Sequence, residues 1–480
     1  MIENTMPHHW ETREYEIKTI IVSALIRAGS LIFEENHKVS GGCMEMGKHG
    51  IPVLRLLLFI ALVLQACSAP NLEANVNKLN EAGIGGGGSK EEASGEVKLS
   101  VYMYVTDVRV QNVYYAISRA FEAEYPQIQV ELQFPGFQYE EILKVKLATN
   151  ELPDIFDTHG WAKIRYGKYL VDLRDEPWAK QLTDTIMPVV TDDQGKVYVL
   201  PVSEARDGFS YNINVLEKYH IQVPTTFDEL MAAADTIVKE SHGQVVPFFF
   251  SGIDSWTIGQ YFDYFTNGFL VNPQAAGRTL LTNTDFDWNQ WERLAVIWKE
   301  MFDKGYINKD VLTVKYSELP KLFAEDKVAF SFASPSFADD AYEVNSATKI
   351  GIMPVPSMNQ GGVPAFSGGE RNTLGIWKKS SHLEEAKLLV NYFARPENMK
   401  KIADVVKIPP GLKGITPQHE FMPFYERYKE VPVIPYFDRI YLPNGMWEVM
   451  RRLGIELLAG EITPVKFGQV MKQEAERLSN

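Results

Sequence analysis

From residue 97 onward, the apolar positions switch repeatedly between the two-residue spacing of strands and the three- and four-residue spacing of helices. VKLSVYMYV (97–105) and IQVELQF (128–134) have strand spacing, and PDIFD (153–157) contains a short apolar strand. A helix is predicted to end near Tyr125, before Pro126, and a second helix is predicted over 139–149. Strands that alternate with helices predict βαβ units and a largely parallel sheet.

The remainder of the chain continues this alternation. Residues 195–212 are predicted to form two extended segments around a polar centre. Further helices are predicted over 226–240, 289–303, 318–326, 383–394 and 446–458. Thr226 precedes Glu229 by three residues, which is the spacing of a capping box at the start of a helix. The fold class predicted from these patterns is α/β.

An apolar run of a different kind lies upstream, at 56–64, and follows the basic residues Lys48 and Arg55. Basic residues before a short apolar run are typical of a secretory signal peptide. As a helix this run spans roughly 14 Å, about half of the hydrocarbon core of a bilayer and too short for a transmembrane anchor. Residues 44–66 are therefore predicted to be a signal peptide.

The residue directly after the predicted signal peptide is Cys67, which is one of only two cysteines in the chain. The sequence LQAC resembles the lipobox of bacterial lipoproteins, with Leu64 three positions before the cysteine and Ala66 directly before it. The resemblance implies that diacylglycerol is attached to the Cys67 thiol and that Cys67 becomes the mature N-terminus. Gln65 departs from the lipobox pattern. The alternative is an ordinary signal-peptidase site at which Cys67 is a small apolar residue.

The segments on either side of this signal are interpreted separately. A signal peptide starts a chain, so residues 1–43 are interpreted as an upstream extension from a start site assigned too early. Residues 67–96 are rich in Gly, Ser and Glu, which predicts a tether with a reach of roughly 30 Å. The GxGxxG pattern at 83–88 lacks a preceding strand and a following apolar helix, so it is not interpreted as a phosphate loop.

Composition narrows the classes of function. A hydrophobic content of 45% predicts substantial cores, and the 480-residue length predicts either two large domains or one domain with substantial additions. A net charge of −14 argues against nucleic acid and anionic lipid as partners. Two cysteines rule out a disulfide framework and a cysteine-based zinc site. The chain contains no HExxH, GxSxG or Walker motif, so we predict no catalysis, no cofactor and no metal.

Longer motifs follow one another from residue 97 to the C-terminus. They are FEAEYPQIQVEL, LATNELPDIFDTHG, YVLPVSEARDGFSYNINVLEKYHIQVPTTFDEL, LFAEDKVAFSFASPS, GIMPVPSMNQGGVPAFSGGERNTLGI, HLEEAKLLVNYFARPENM and LLAGEITP. In content and order they resemble the extracellular solute-binding proteins of ABC sugar importers, the group that includes maltose-binding protein. Each motif alone is weak, and it is their shared order that makes the resemblance specific.

This resemblance implies a periplasmic-binding-protein fold, in which two discontinuous α/β lobes are joined by a hinge and separated by a cleft. It implies a first lobe at 97–205 and 354–408 and a second lobe at 206–350 and 412–480. The chain would cross between the lobes near 203–208, 349–354 and 407–412, where the sequence is polar, extended and interrupted by Pro and Gly.

The resemblance also implies ligand-binding residues, because sugars stack on aromatic rings and hydrogen-bond to charged side chains. They are Asp107, Trp161, Glu204, Arg206, Trp256, Glu370, Trp447 and Arg451. The alternative for each tryptophan is a core position, and Trp291 and Trp298 have the helical spacing of core residues. An alternative is also open for Arg206, His159 and Glu370. Each is as compatible with a solvated surface charge as with a ligand-binding residue.

The function implied is that of a lipid-anchored, monomeric substrate-binding subunit on the outer face of the cell membrane. It would capture a mono- or oligosaccharide and deliver it to an ABC permease that a separate ATPase drives. Two alternatives remain open at this point. One is the same fold with a non-sugar solute such as a polyamine, metal chelate or peptide, and the other is a secreted glycoside hydrolase with paired carboxylates in a cleft.

Overall fold

The structure of the protein is a computed structural model that describes residues 97–267, 269–270 and 287–479. The predictions for residues 1–96, which are the upstream extension, the signal peptide, Cys67 and the tether, lie outside these ranges. No helix in the described ranges is long and apolar enough to cross a membrane.

The strands and helices of the described residues alternate along the chain. The strands are β1 (Val97–Tyr102), β2 (Ile128–Gln133), β3 (Ile155–Phe156), β4 (Leu200–Pro201), β5 (Glu204–Asp207), β6 (Phe209–Asn212), β7 (Val246–Phe248), β8 (Val328–Ser331), β9 (Ile350–Met353), β10 (Phe366–Glu370), β11 (Thr373–Ile376) and β12 (Val433–Pro435). The α-helices are α1 (Val108–Glu124), α2 (Tyr139–Thr149), α3 (Met187–Val190), α4 (Ile213–Lys218), α5 (Phe227–Glu240), α6 (Trp256–Asn267), α7 (Asn289–Asp303), α8 (Leu319–Ala324), α9 (Phe337–Val344), α10 (Leu383–Phe393), α11 (Pro396–Val406), α12 (Met422–Arg427), α13 (Phe437–Tyr441), α14 (Met446–Leu458) and α15 (Pro464–Ser479).

A five-stranded sheet with the order β2-β1-β3-β11-β4 forms the centre of the first lobe. β1 runs parallel to β2 and β3, whereas β11 runs antiparallel to β3 and β4. Helices α1, α10 and α11 pack together on this sheet. They bury apolar side chains such as Tyr114 and Phe393, whose ring centroids are 5.5 Å apart.

A four-stranded sheet with the order β7-β8-β6-β9 forms the centre of the second lobe. Helices α8 and α9 pack beside it, and α6, α7, α14 and α15 form a second helical layer. Aromatic rings fill this core: Phe209 stacks on Phe332 at 4.1 Å, and Phe250 meets Trp298 edge to face at 4.7 Å. The parallel βαβ arrangement predicted for the first three strands is confirmed, because β1 runs parallel to β2 and β3. The sheets as a whole are mixed, since β11 runs antiparallel to its neighbours in the first lobe and β6 does so in the second.

A three-stranded sheet, β12-β10-β5, lies where the chain passes between the lobes. β5 follows β4 of the first lobe and precedes β6 of the second, and β10 connects β9 of the second lobe to β11 of the first. β10 pairs antiparallel with β5, so that Gly368 lies opposite Arg206. A Cβ at Gly368 would lie 2.2 Å from the Ala205 carbonyl oxygen, so only glycine allows these strands to approach so closely.

Candidate functional site

The connection between β10 and β11, residues 370–373, contacts several of the loops that face the second lobe. The Asn372 amide donates to the Tyr104 carbonyl at 2.9 Å and to Asp157 Oδ2 at 2.8 Å. The Thr373 backbone N–H and the His159 backbone N–H both donate to Asp157 Oδ1. Asp157 therefore fixes the end of β1, the loop after β3 and the crossing connection relative to one another.

Asp157 is fully buried, and this burial raises the pKa of its carboxyl group, while the nearby His159 and the hydrogen bond from Asn372 oppose the rise. The residue follows β3 directly, and ligands in open α/β folds bind outside the carboxyl ends of the strands. Beside it, the His159 ring stacks on Tyr104 with the ring centroids 4.1 Å apart. The His159 Nδ1 atom is 3.0 Å from Glu140.

Trp161 lies in the same loop, and two arginines contact its ring. The Cζ atoms of Arg165 and Arg439 are 4.0 Å and 4.6 Å from the ring centroid, which is cation–π distance. Gly160 has a φ of +88°, and a Cβ there would overlap the Arg439 guanidinium. In this conformation Trp161 is 8% exposed, and its ring contacts the Arg165 and Arg439 guanidinium groups and the edge of the His159 ring.

Glu370 borders a small cavity of about 20 Å³ together with Trp161, Tyr436 and Arg439. Its carboxylate accepts the Ala162 N–H at 3.3 Å. Burial raises the pKa of Glu370 to about 7, with the Arg439 charge acting in the opposite direction. At neutral pH this carboxyl group is therefore divided between its protonated and ionised forms.

Glu204 lies opposite Glu370 in the β5–β10 pair and is 1% exposed. Its two oxygens have partners within the protein: the Thr183 hydroxyl donates to one at 2.6 Å and Arg206 Nε donates to the other at 2.9 Å. In this conformation the two predicted ligand-binding residues Glu204 and Arg206 therefore bind each other.

The N-terminal end of α6 brings together three other predicted residues. Trp256 meets Tyr316 edge to face with a centroid separation of 4.6 Å, and Arg451 Nη1 donates to the Ser255 hydroxyl at 3.1 Å. A Cβ at Gly259 would lie 3.0 Å from the Trp447 indole, so this ring packs directly on α6. Trp256 is the first residue of α6, and Trp447 and Arg451 contact the same end of this helix.

A cavity of about 510 Å³ lies between the start of α1 in the first lobe and the start of α9 in the second. Its lining includes Asp107 and Arg109 on one side and Tyr316, Phe337 and Asp340 on the other. Asp107 caps α1 by accepting the Arg109 N–H at 2.8 Å. Because Tyr316 also touches Trp256, this cavity adjoins the aromatic group at α6.

Polar contacts join the two lobes around these cavities. Arg109 of α1 pairs with Asp340 of α9 at 2.9 Å, and Lys407, which ends α11, pairs with Asp339 at 2.9 Å. On the other side Arg165 donates to the Asn444 side chain at 2.8 Å. These partners come from separate lobes, so a change in the distance between the lobes would break the contacts.

The structure therefore places the predicted residues in three groups and one separate position. Trp161 and Glu370 share the small cavity, Glu204 and Arg206 form a pair, and Trp256, Trp447 and Arg451 meet at α6. Asp107 lines the larger cavity, where Tyr316 is its link to Trp256.

Tyr104, Tyr316 and Arg371 lie beside these residues but are not among the predicted ligand-binding residues. Tyr104 falls inside the strand predicted at 97–105 and two residues after the end of β1. Arg371 lies in the motif GGERNT, which is as compatible with a plain surface turn as with a site.

Two mixed-sheet lobes, a chain that crosses between them and a cavity bordered by both lobes define a two-lobed binding protein. Residues 108–400 match the family model for bacterial extracellular solute-binding proteins, and the chain belongs to this family. It is 38% identical over 423 residues to the melibiose/raffinose/stachyose-binding protein MelE of Bacillus subtilis, a match that covers 88% of this chain and 95% of MelE.

Solved structures agree with this assignment. A sugar transporter protein of Bacillus licheniformis in complex with stachyose is 42% identical, with a TM-score of 0.74, and the match covers 80% of this chain and all of that one. A Bacillus subtilis binding protein in an open conformation is 38% identical, also with a TM-score of 0.74, over 80% of this chain and 98% of that one. The predicted family and the periplasmic-binding-protein fold are confirmed. Membership of a binding-protein family also speaks against the glycoside hydrolase alternative.

Proposed function

We propose that this protein is the sugar-binding subunit of an ABC importer and that its ligand is an oligosaccharide of the melibiose, raffinose and stachyose series. The observation that carries the proposal is the cavity of about 510 Å³ between the lobes. Acidic Asp107 and Asp340 and aromatic Tyr316 line it together. Aromatic rings suit the C–H faces of sugars and carboxylates suit their hydroxyl groups, and a volume of several hundred Å³ is typical of small-molecule sites.

The ligand class follows from the relatives. MelE, whose name gives melibiose, raffinose and stachyose as ligands, matches almost the full described region, and the Bacillus licheniformis protein was solved with stachyose. Aromatic rings and carboxylates would also suit a cationic polyamine, so it is the sugars named for these two relatives that favour a sugar over the rival non-sugar solutes.

Binding would be coupled to closure of the lobes about the crossing segments. The proposed lobes are residues 97–205 with 354–408 and residues 206–350 with 412–480. The pairs Arg109–Asp340 and Lys407–Asp339 would form as the lobes close. The third crossing is proposed near 407–412, where the Gly411 carbonyl accepts the Thr183 N–H.

The purified protein should be stabilised by raffinose and stachyose and not by maltotriose. A ligand present at 100 times its dissociation constant should add about 2.7 kcal/mol to the free energy of unfolding. Thermal shift measurements over a sugar panel, followed by titration calorimetry, test this. Chromatography after long incubation should recover the sugar unchanged. Absence of any response to the galactosyl sugars would refute the proposed ligand class, and new reducing ends would instead indicate a hydrolase.

We also propose that the protein is held on the outer face of the cell membrane by a lipid on Cys67, as a monomer that delivers its sugar to a permease driven by a separate ATPase. Replacing Cys67 with alanine should then move the protein from the membrane fraction to the soluble fraction. Ser68→Ala changes the residue beside the proposed lipid attachment point and is the control, which should leave the protein on the membrane. A mature protein that retains residues 1–43 in mass spectrometry would contradict both the anchor and the proposed start site.

A further inference from the structure

The lining of the cavity of about 510 Å³ between the lobes contains more acidic than basic side chains. Among the described residues that line it, Asp107, Asp340 and Glu343 are acidic and Arg109 is basic. Asp107 precedes α1 in the first lobe, whereas Asp340 and Glu343 lie on α9 in the second. Like charges on opposite walls repel each other as the walls approach, so a cation between them favours closure of the lobes.

Arg109 supplies such a cation. Its Nε atom is 3.0 Å from Asp107 Oδ1 and its Nη2 atom is 2.8 Å from Asp107 Oδ2, so the planar guanidinium binds both oxygens of one carboxylate. The same Nη2 atom is 2.9 Å from Asp340 Oδ1, and Nη1 is 3.6 Å from Asp339 Oδ2. One arginine therefore joins a first-lobe carboxylate to two carboxylates of the second lobe.

The carboxylates bound to Arg109 can still accept further hydrogen bonds. An ionised carboxylate offers about four acceptor positions, and the Asp107 and Asp340 side chains are 24% and 53% exposed. The other contacts between the lobes differ in this respect, because Lys407 and Arg165 are not among the described residues that line this cavity. Arg109 is therefore the cross-lobe contact that acts on the cavity itself.

We propose that Arg109 is a positioning residue that couples sugar binding to closure of the lobes, a role that rests on the proposed function. It holds the Asp107 and Asp340 carboxylates on opposite sides of one bound oligosaccharide and offsets the repulsion between them. An uncharged sugar has no charge with which to offset that repulsion. Both carboxylates are in place for the sugar hydroxyl groups only when the lobes are closed.

Two other roles for Arg109 make different predictions. A direct contact with an uncharged sugar would contribute similarly at low and high salt concentration. A residue that only stabilises the start of α1 would change the melting temperature and leave the salt dependence of binding as it is. Asp107 caps α1 by accepting the Arg109 backbone N–H, a bond that Arg109→Gln leaves in place.

The test is titration calorimetry of the full chain with raffinose at about 20 mM and at about 500 mM NaCl, where screening of charges is weak and strong respectively. Raffinose is uncharged, so salt acts on its binding through charges of the protein. At low salt Arg109→Gln should weaken binding by about 2- to 30-fold, because an exposed attraction is lost and a repulsion of similar size replaces it. Wild-type affinity should fall as salt rises, whereas the affinity of Arg109→Gln should rise.

Two further variants complete the test. Adding Asp340→Asn to Arg109→Gln should restore part of the lost affinity, because asparagine keeps an acceptor oxygen and removes one of the repelling charges. Arg395→Gln is the matched control. Arg395 binds both oxygens of Glu124 within the first lobe, and its loss should leave the affinity and its salt dependence at wild-type values.

Wild-type affinity in Arg109→Gln would overturn this inference and leave the proposed function intact. A loss that is equal at both salt concentrations and that Asp340→Asn does not relieve would overturn it in favour of a direct contact. A lower melting temperature with an unchanged salt dependence would overturn it in favour of a structural role at α1. A wild-type protein that binds none of the galactosyl sugars would overturn the proposed function and the inference together.

Discussion

Replacing Trp298 with alanine should lower the free energy of unfolding by about 3–5 kcal/mol and leave the sugar affinity of the folded protein unchanged. Trp298 is completely buried, packs against Phe250 and Tyr261 at 4.7 Å and 4.6 Å, and donates its indole N–H to the Gly454 carbonyl at 3.1 Å. The substitution leaves a large cavity and a carbonyl without its donor, and Trp298 is not among the residues proposed to bind sugar. Urea unfolding and calorimetry measure the two effects separately.

Trp256→Ala is the matched comparison and should behave in the opposite way. Its ring is half-buried beside Tyr316, so truncation removes a stacking surface worth about 0.5–1.5 kcal/mol, or roughly 2- to 13-fold in affinity, with a smaller loss of stability. Trp447→Ala should follow Trp256→Ala if its free face also meets sugar. Normal affinity in a folded Trp256→Ala protein would remove this residue from the site, and a stability loss as large as that of Trp298→Ala would make it a core residue.

The local elements with strong apolar periodicity could be predicted well from sequence. The helices α7 and α14 begin and end at the predicted residues, Asn289–Asp303 and Met446–Leu458. The Thr226–Glu229 capping box is confirmed, with the Thr226 side chain accepting the Glu229 N–H at 3.2 Å. Trp291 and Trp298 are core residues, as their spacing predicts.

Elements whose formation depends on long-range contacts were harder to predict from the sequence. β1 ends at Tyr102 rather than at residue 105, because the chain leaves the sheet there to reach Asp107 and α1. Helix α11 was not predicted although Pro396 is a favourable first residue for a helix. The crossing sheet was also missed, because β5, β10 and β12 are short and their pairing joins residues distant in sequence.

The candidate site illustrates the same limit. Residue types and order indicated Trp161 and Glu204, but a sequence does not reveal that two arginines contact the ring of Trp161 or that Thr183 and Arg206 use both oxygens of Glu204. Their direct contact with ligand stays a prediction, as does that of the other predicted ligand-binding residues. The pairing of Arg371 with Asp207 of β5 is likewise a contact that only the folded chain brings together.

The stability of the protein should fall as the pH rises through the range in which Glu370 ionises. Burial raises the pKa of Glu370 from 4.5 to about 7, so between these values the folded protein holds a proton that the unfolded chain has released. The folded state then binds more protons than the unfolded state, and the free energy of unfolding decreases with rising pH. The loss should begin near pH 4.5, level off above pH 7 and total about 3 kcal/mol.

Glu370→Gln should remove this contribution, because glutamine keeps the shape of the protonated side chain and has no charge to bury. The variant should match wild type near pH 4 and exceed its stability by up to about 3 kcal/mol at pH 8, measured by urea unfolding across the range. Glu141→Gln is the control, since Glu141 is 76% exposed and its removal should leave the pH dependence unchanged. The buried carboxyl groups Asp157, Asp263 and Asp438 also have raised pKa values through burial. The Asp157 charge contributes to the rise at Glu370, so the difference between the two proteins includes the Asp157–Glu370 repulsion. Parallel stability curves for wild type and Glu370→Gln would show that water or Arg439 neutralises the Glu370 charge in the folded protein.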